Sequence, residues 1–447
     1  MRLPKYILNR FNQKDTLLVI SNYPKKGELY SNVDGGVASY TKNTLLGIQK
    51  TNPTAKIVVF APTLSQNDAY SYTEDKGVLV IRCFRRDVGS SFVQLLEEVR
   101  LFNQTKSLLF AFEFALYGDL LTTLTVPFFL SALALLGKQI TLVLHQVVLE
   151  LNTLSGHIGV YGLKNRFMSL ILRRYYNLLC APVQKIIVLE DQIKERLSKV
   201  VNAQKIEVTY HGVDAINIKK EITQKKARVK LGIKNNELVL LYYGYITWYK
   251  GADILAKIFC KNVKIGNKKV RVILAGGPSA TQQHKKHYKE FFNRVKSLAQ
   301  NGNQVTITGF VNEEDVSTYM SAADLVIFPY RTFMSSSGAL ATAFAFEKPF
   351  LVSSKLRGYF ASKDIKDLLV ESDLTFNDIS FDLQKKSLLQ SVERVITKGM
   401  TKKLSKLSRA IKIERDFTLM AKHYSDSSSD KSFTFLPARL QLSYGKK

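Results

Sequence analysis

Short runs of β-branched and aromatic residues recur along this chain with helix-length stretches between them, and they come in two successive series. The first series occupies 16–21, 56–62, 78–84, 107–114, 140–147, 185–189 and 205–210; the second occupies 238–243, 271–275, 305–308, 325–329 and 350–353. Strands that are apolar on both faces, alternating with helices, predict parallel sheets covered on each side. Two such series imply an α/β chain of two doubly wound, Rossmann-like domains.

The length of 447 residues accommodates both. The break falls after His211-Gly212-Val213-Asp214, giving a first domain over 1–214, a linker with a short surface helix over 215–235, and a second domain over 236–405. A helix over 406–426 could cross back to the first domain, and 427–447 reads as a tail. Residues 385–412 hold nine basic side chains and one acid, with Leu388, Val392, Val395 and Ile396 at amphipathic helical spacing.

A 46% hydrophobic and 23% charged composition excludes a largely disordered chain. Cys83, Cys180 and Cys260 lie too far apart in sequence for a CxxC module, which argues against a disulfide framework or zinc finger and suits a reducing, cytoplasmic setting. No secretory signal opens the sequence. No charge appears from Leu120 to Gly137, but Thr122, Thr123, Thr125, Pro127 and Ser131 interrupt it, so a buried helix before a strand is the preferred reading over a membrane span. The net charge of +28 favours an anionic partner. Its lysines are dispersed and form no nucleic-acid-binding motif, so no nucleic acid is expected.

Ligands of doubly wound domains bind outside the carboxyl ends of the strands, and four loops there carry candidate chemistry. Gly35 and Gly36 open a helix after the first strand, where paired glycines allow close backbone approach to a ligand or merely make a turn. Lys250 precedes the helix of 252–259, where a cation opposes the helix dipole unless an anion lies between them; a solvated lysine is the alternative. Ser336, Ser337 and Gly338 precede an apolar helix after a strand, and capping and phosphate binding would use the same amides. His145, at the end of its strand, would suit a substrate hydroxyl or a structural hydrogen bond equally. No Asp-x-Asp occurs, which argues against a metal-bridged diphosphate.

Taken in order, these loops resemble the retaining family 4 (group 1) glycosyltransferases of GT-B architecture, two Rossmann-like domains facing across a cleft. The resemblance spans 16–424 and includes Gly35-Gly36, His145, Tyr210 to Asp214, Lys250-Gly251, Leu274 to Gly277, Thr308 to Val311, Ala323 to Tyr330 and Ser336 to Pro349. It implies transfer of a sugar from a nucleotide donor of the UDP- or GDP-sugar class, with retained configuration and with no cofactor or metal. Lys250 would pair with the donor diphosphate, Ser337 to Ala339 would cap its distal phosphate, and Gly309, Phe310 and Val311 would meet the base. Gly36 would approach the phosphate or sugar from the first domain, and His145 would bind a sugar hydroxyl. Four positions depart from the family pattern. Tyr245 replaces an arginine, Met334 and Thr342 replace paired glutamates, and Glu347 replaces a glycine. Thr342 would offer the donor ribose only a hydroxyl.

The acceptor implied is a saccharide or a lipid-linked saccharide, within polysaccharide or glycolipid synthesis. Between Glu150 and Glu190 no acid occurs, while Lys164, Arg166, Arg173, Arg174 and Lys185 do. The helix there would either rest on an anionic membrane, making the protein peripheral on its inner face, or pack with a solvated basic side. A catalytically weak glycosyltransferase-like binding protein is the competing class.

Overall fold

A computed structural model of the chain describes residues 3–29, 35–114, 116–151, 163–214, 222–279 and 281–425. Eight strands form the first sheet: β1 (Leu17–Ile20), β2 (Ile57–Pro62), β3 (Ser71–Asp75), β4 (Val78–Phe84), β5 (Ser107–Phe112), β6 (Gln139–Leu144), β7 (Lys185–Val188) and β8 (Ile206–Val208). Their order is β3-β4-β2-β1-β5-β6-β7-β8, parallel except where β3 pairs with β4. The helices of this part are α1 (Lys5–Phe11), α2 (Gly35–Thr51), α3 (Ser91–Arg100), α4 (Leu120–Leu135), α5 (Leu163–Cys180) and α6 (Asp191–Leu197).

The second sheet holds β9 (Glu237–Tyr243), β10 (Lys264–Ile265), β11 (Lys268–Ala275), β12 (Val305–Ile307), β13 (Leu325–Phe328), β14 (Phe350–Ser353) and β15 (Ser380–Phe381). It runs β10-β11-β9-β13-β14-β15, with β12 also paired to β11. Around it lie α7 (Gln224–Lys230), α8 (Ala252–Phe259), α9 (Lys286–Gln300), α10 (Glu313–Ala322), α11 (Gly338–Ala345), α12 (Lys363–Glu371), α13 (Lys385–Thr397) and α14 (Thr401–Glu414). The basic stretch 385–412 is two helices because Gly399, at φ +64°, turns the chain between α13 and α14. The architecture is the two-domain GT-B arrangement.

The apolar runs become strands because both sheet faces are covered: all residues of β2 and β4 are buried, as are all of β13 and β14. α15 (Phe417–Ser425) leaves the second sheet and packs on α2. Gly47 and Gly212 permit that docking, since a Cβ at either would fall within 2.6 Å of Phe417. The Val213 amide donates to the Arg415 carbonyl at 2.6 Å where the chain crosses back. Residues 215–221 of the linker and the tail 427–447 lie outside the described residues.

One expectation is corrected. The uncharged stretch 120–137 forms a helix, but α4 buries only one side; Leu121, Leu124, Phe128 and Leu135 are exposed. A helix apolar all round gives no periodic signal by which sequence could tell a buried face from a bare one. No helix among the described residues is long and apolar enough to cross a membrane.

Candidate active site

Each sheet reverses its winding once. In the first, the chain moves outward from β1 through β2 to β4, then outward the other way from β5 through β6 and β7 to β8. The reversal lies between β1 and β5. In the second it lies between β9 and β13. Crevices open outside the carboxyl ends of the strands at such points, because the loops there diverge to opposite faces. The loops concerned are those after β1 and β5 on one side of the cleft, and 244–251 and 329–338 on the other.

Lys250 ends a 3₁₀ turn (Trp248–Lys250) that follows β9. Two glycines put its ammonium in place. A Cβ at Gly244 (φ +114°) would lie 3.2 Å from Lys250 Nζ and 3.3 Å from the Ala339 Cβ, so lysine and the start of α11 meet over that glycine. Gly251 (φ +73°) lets the turn abut the Pro329 carbonyl, where a Cβ would stand 2.0 Å away. Arg331 fastens turn and loop together: its guanidinium donates to both Asp253 oxygens (2.8 and 2.7 Å) and lies over the Trp248 ring. Such bidentate pairing fixes geometry as well as charge.

Beside the lysine, the Ser337 hydroxyl accepts from the Leu340 amide at 3.2 Å and pairs with Tyr330 Oη at 2.8 Å. It is the N-cap of α11. The amides of Gly338 and Ala339 precede any intrahelical partner and remain available to an anion. Lys250 Nζ has no hydrogen bond or ion pair among the described residues. Desolvation lowers it to about 8, with Glu113 pulling it up. A partly buried ammonium beside a helix N-terminus is poorly placed unless a polyanion joins it.

Farther along the same edge, the Tyr245 and Phe310 rings stack with centroids 6.3 Å apart and 29° between planes. Gly276 and Gly277 bring their loops together, since Cβ atoms there would stand 1.9 Å from the Gly244 carbonyl and 2.8 Å from the Phe310 amide. Gly309 turns at φ +79°, and Val311 is buried behind it. Thr342 Oγ1 donates to the Gly338 carbonyl at 2.8 Å, so its proton is already committed.

The first domain supplies a residue that the sequence did not single out. Glu113, directly after β5, is half-buried, and its surroundings push the carboxyl up to about 7 while Lys250 pulls it down. It also acts on Tyr249, so it stands within electrostatic reach of the lysine turn. Its signal in sequence is a lone acid (Phe112-Glu113-Phe114) closing an apolar parallel strand, at the position that His145 occupies on neighbouring β6.

The loop 329–338 also docks directly on the first domain. Ser335 bridges to Gln146, Arg196 donates to the Phe333 carbonyl at 2.8 Å, and Ser336 Oγ donates to Glu190 Oε1 at 3.3 Å. Near the cleft mouth the Leu29 amide donates to Glu313 at 3.0 Å.

The structure thus gathers Lys250, Ser337, Gly338, Ala339 and Glu113 around one cleft, with Tyr245 and Phe310 at its side. His145, beside Glu113 on the neighbouring strand, packs under α2. It is buried, its ring meets Tyr40 edge-on at 4.9 Å, and it lines a small void under α2 with Thr41 and Tyr424. Burial, then His211, lowers it to about 3, and its Nε2 has no partner. None of these contacts links it to Lys250. Gly35 and Gly36 begin α2, and a Cβ at Gly36 would meet nothing within 4 Å; Asp34 before them lies outside the described residues. No cluster of metal-ligating side chains occurs among the described residues.

Comparison with known proteins agrees with this fold. Residues 237–376 match the family model for glycosyl transferases group 1, which bears out the resemblance over the second sheet. Sucrose-phosphate synthase from Thermosynechococcus elongatus superposes with a TM-score of 0.65 at 15% identity, covering 92% of this chain and 97% of that one. Anabaena HepE, in complex with UDP-glucose, gives 0.61 at 17% identity over 92% and 98%. WaaG, a glycosyltransferase involved in lipopolysaccharide biosynthesis, gives 0.60 at 13% over 93% and 100%. These establish a shared fold. No curated relative matches at the level of sequence.

Proposed function

We propose that this chain, GT-B in fold and matched over its second sheet to the group 1 glycosyltransferases, moves a sugar from a nucleotide donor to a saccharide or lipid-linked acceptor with retention of configuration. The observation that carries the reading is the Lys250 ammonium, without a hydrogen bond or ion pair among the described residues, over Gly244 beside the Gly338 and Ala339 amides of α11. A diphosphate bridging them would neutralise the lysine and fill the helix N-terminus at once. The Tyr245–Phe310 stack then offers a platform for the base, and HepE, on the same fold, holds UDP-glucose.

In the reaction, the bond between the anomeric carbon and the diphosphate oxygen breaks as the acceptor oxygen attacks from the same face. The acceptor proton passes to the departing phosphate oxygen. Charge accumulates on that leaving group, so donors fixed before the reaction, Lys250 and the Gly338 and Ala339 amides, lower the barrier without reorganising. Glu113, across the cleft, is placed to receive a hydroxyl of the sugar or acceptor. The chemistry needs no metal where lysine and amides carry the diphosphate charge.

The experiment is a thermal-shift series with UDP- and GDP-sugars on the full chain. A donor that binds only the folded state raises the melting temperature, and Lys250→Ala should abolish the shift while the unliganded protein melts cooperatively. An undiminished shift in that variant overturns the site. Acceptor-dependent release of nucleoside diphosphate then separates a transferase from a binding protein.

A further inference from the structure

Outside the cleft, α4 and α5 leave an apolar face uncovered. On α4, Leu121, Phe128 (72% exposed) and Leu135 (89%) stand at seven-residue spacing, while Val126, Leu130 and Leu133 are buried on the opposite side. α5 lies alongside, joined by Tyr175 Oη donating to the Thr123 carbonyl at 2.8 Å. It exposes Phe167 (65%), Leu170 and Leu178 (58%). Large apolar side chains on two adjacent helices form a continuous surface of the kind that soluble monomers seldom present to water.

Two features of this face decide what covers it. The first is its polar inventory. The hydroxyls within the α4 stripe are spent internally: Thr125 donates to the Thr122 carbonyl at 2.7 Å and Ser131 to the Pro127 carbonyl at 3.0 Å. Protein interfaces are studded with hydrogen bonds, and the α4 half of this face offers no side-chain donor for one, the exposed donors Arg166, Arg174 and Asn177 all lying on α5. The second is charge. α4 carries none, and α5 carries Lys164, Arg166, Arg173 and Arg174 with no acid. Arg166 and Arg174 are exposed among the apolar residues. Two copies meeting through this face would oppose like charges. A layer that is hydrocarbon beneath and anionic at its surface satisfies both features, because arginines can keep their heads at the phosphate level while the apolar stripe sinks between them.

We infer that the α4–α5 face is a docking surface for an anionic phospholipid bilayer, both helices lying in its interfacial plane. The inference goes beyond the transferase reading and does not depend on it. α4 starts from the loop that carries Glu113, so its bare stripe begins at the rim of the cleft and the bound protein would hold the cleft against the lipid surface.

Co-sedimentation of the full chain with phosphatidylcholine vesicles, with and without phosphatidylglycerol, tests this. Binding should favour the anionic vesicles about tenfold or more and weaken, without vanishing, as salt rises. Phe128→Ser with Leu135→Ser should cut binding at least about tenfold, since these side chains are exposed and their removal opens no cavity. Arg166→Glu with Arg174→Glu should remove the preference for anionic lipid. Unchanged circular dichroism and melting would show that each variant folds. No binding at low salt, binding unaffected by the serine variant, or a dimer in vesicle-free solution that the serine variant dissolves would each overturn the inference. The last would assign the face to a second copy instead. Loss of donor binding with vesicle binding intact would indict the active site alone.

Discussion

Glu113 of the first domain and Lys250 of the second interact electrostatically across the cleft, the carboxyl raised to about 7 by its surroundings and the ammonium lowered to about 8. Each draws the other toward its charged form. A diphosphate entering beside Lys250 changes both balances in one direction. Its charge stabilises the ammonium and repels the carboxylate, so both groups hold protons more tightly in the complex than in the free protein.

Nucleoside diphosphate binding should therefore be accompanied by proton uptake, and affinity should fall as pH rises from about 7 to about 9. Calorimetry in buffers of differing ionisation enthalpy measures the uptake directly. Glu113→Gln removes one of the two titrations and a like charge. At pH 8 it should tighten uridine diphosphate by roughly 1 kcal/mol, on the order of fivefold, and flatten the lower part of the profile. An identical pH profile in the variant would contradict the cross-cleft coupling.

Gly244→Ala tests the placement of the lysine. The new methyl would meet Lys250 Nζ at 3.2 Å and Ala339 at 3.3 Å, in a backbone conformation (φ +114°) that side chains resist. The backbone strain should cost about 1–2 kcal/mol of stability. The ammonium, at the end of a flexible chain, would swing away from the α11 amides. Donor affinity should then fall by roughly tenfold or more even in protein that remains folded, as followed by fluorescence or calorimetric titration.

How much of this could be read beforehand depended on where the physics is local. The parallel strands were legible because burial on both faces demands continuous apolar runs. β3 was not, since Ser71–Asp75 is an exposed antiparallel edge strand, and β10 and β15 have only two residues each. Lys250, Ser337 and Gly338 were visible because a loop joining strand to helix has few reasons to carry a lysine or a serine cluster. Glu113 and Arg415 were not, because their meaning lies wholly in residues far away in sequence. The bare side of α4 escaped for the opposite reason, an apolar pattern too uniform to show a face.

Glu347 is a departure that the backbone explains. It sits at φ +51° just past α11, where its amide donates to the Phe344 carbonyl at 2.9 Å and the next amide, of Lys348, donates to Ala343 at 3.0 Å. That reciprocal pair is the Schellman ending, whose left-handed residue is ordinarily glycine. Its half-exposed ion pair with Lys412 (3.0 Å) offsets little of the strain. Glu347→Gly and Glu347→Ala both delete the carboxylate, but only glycine relieves the backbone. The glycine variant should be the more stable by about 1 kcal/mol in urea unfolding, the reverse of their order within a helix. Equal midpoints would mean that the left-handed turn is not retained in solution.

At the domain junction, fully buried Arg415 answers two carboxylates with one charge. It grips Asp364 closely (Nε–Oδ2 2.6 Å, Nη2–Oδ1 3.1 Å) and Glu190 more distantly (3.3 and 3.5 Å). Asp364 is accordingly held below its ordinary range, while burial pushes Glu190 up to about 8 against the pull of Arg415. The folded protein keeps a proton on Glu190 that the unfolded chain has released above about 4.5. Stability from this group is thus complete below that pH and is lost as pH rises toward 8. Melting temperature should decline between pH 6 and pH 9, and Glu190→Gln should remove much of the decline while retaining an acceptor for Ser336. Arg415→Met leaves two buried acids without their cation and should cost roughly 3–5 kcal/mol. Because Ser336 of the donor loop leans on Glu190, the arginine variant should also weaken donor binding in whatever fraction stays folded. A melting curve indifferent to pH in the native chain would show that Arg415 satisfies both carboxylates fully and that the junction carries no spare proton.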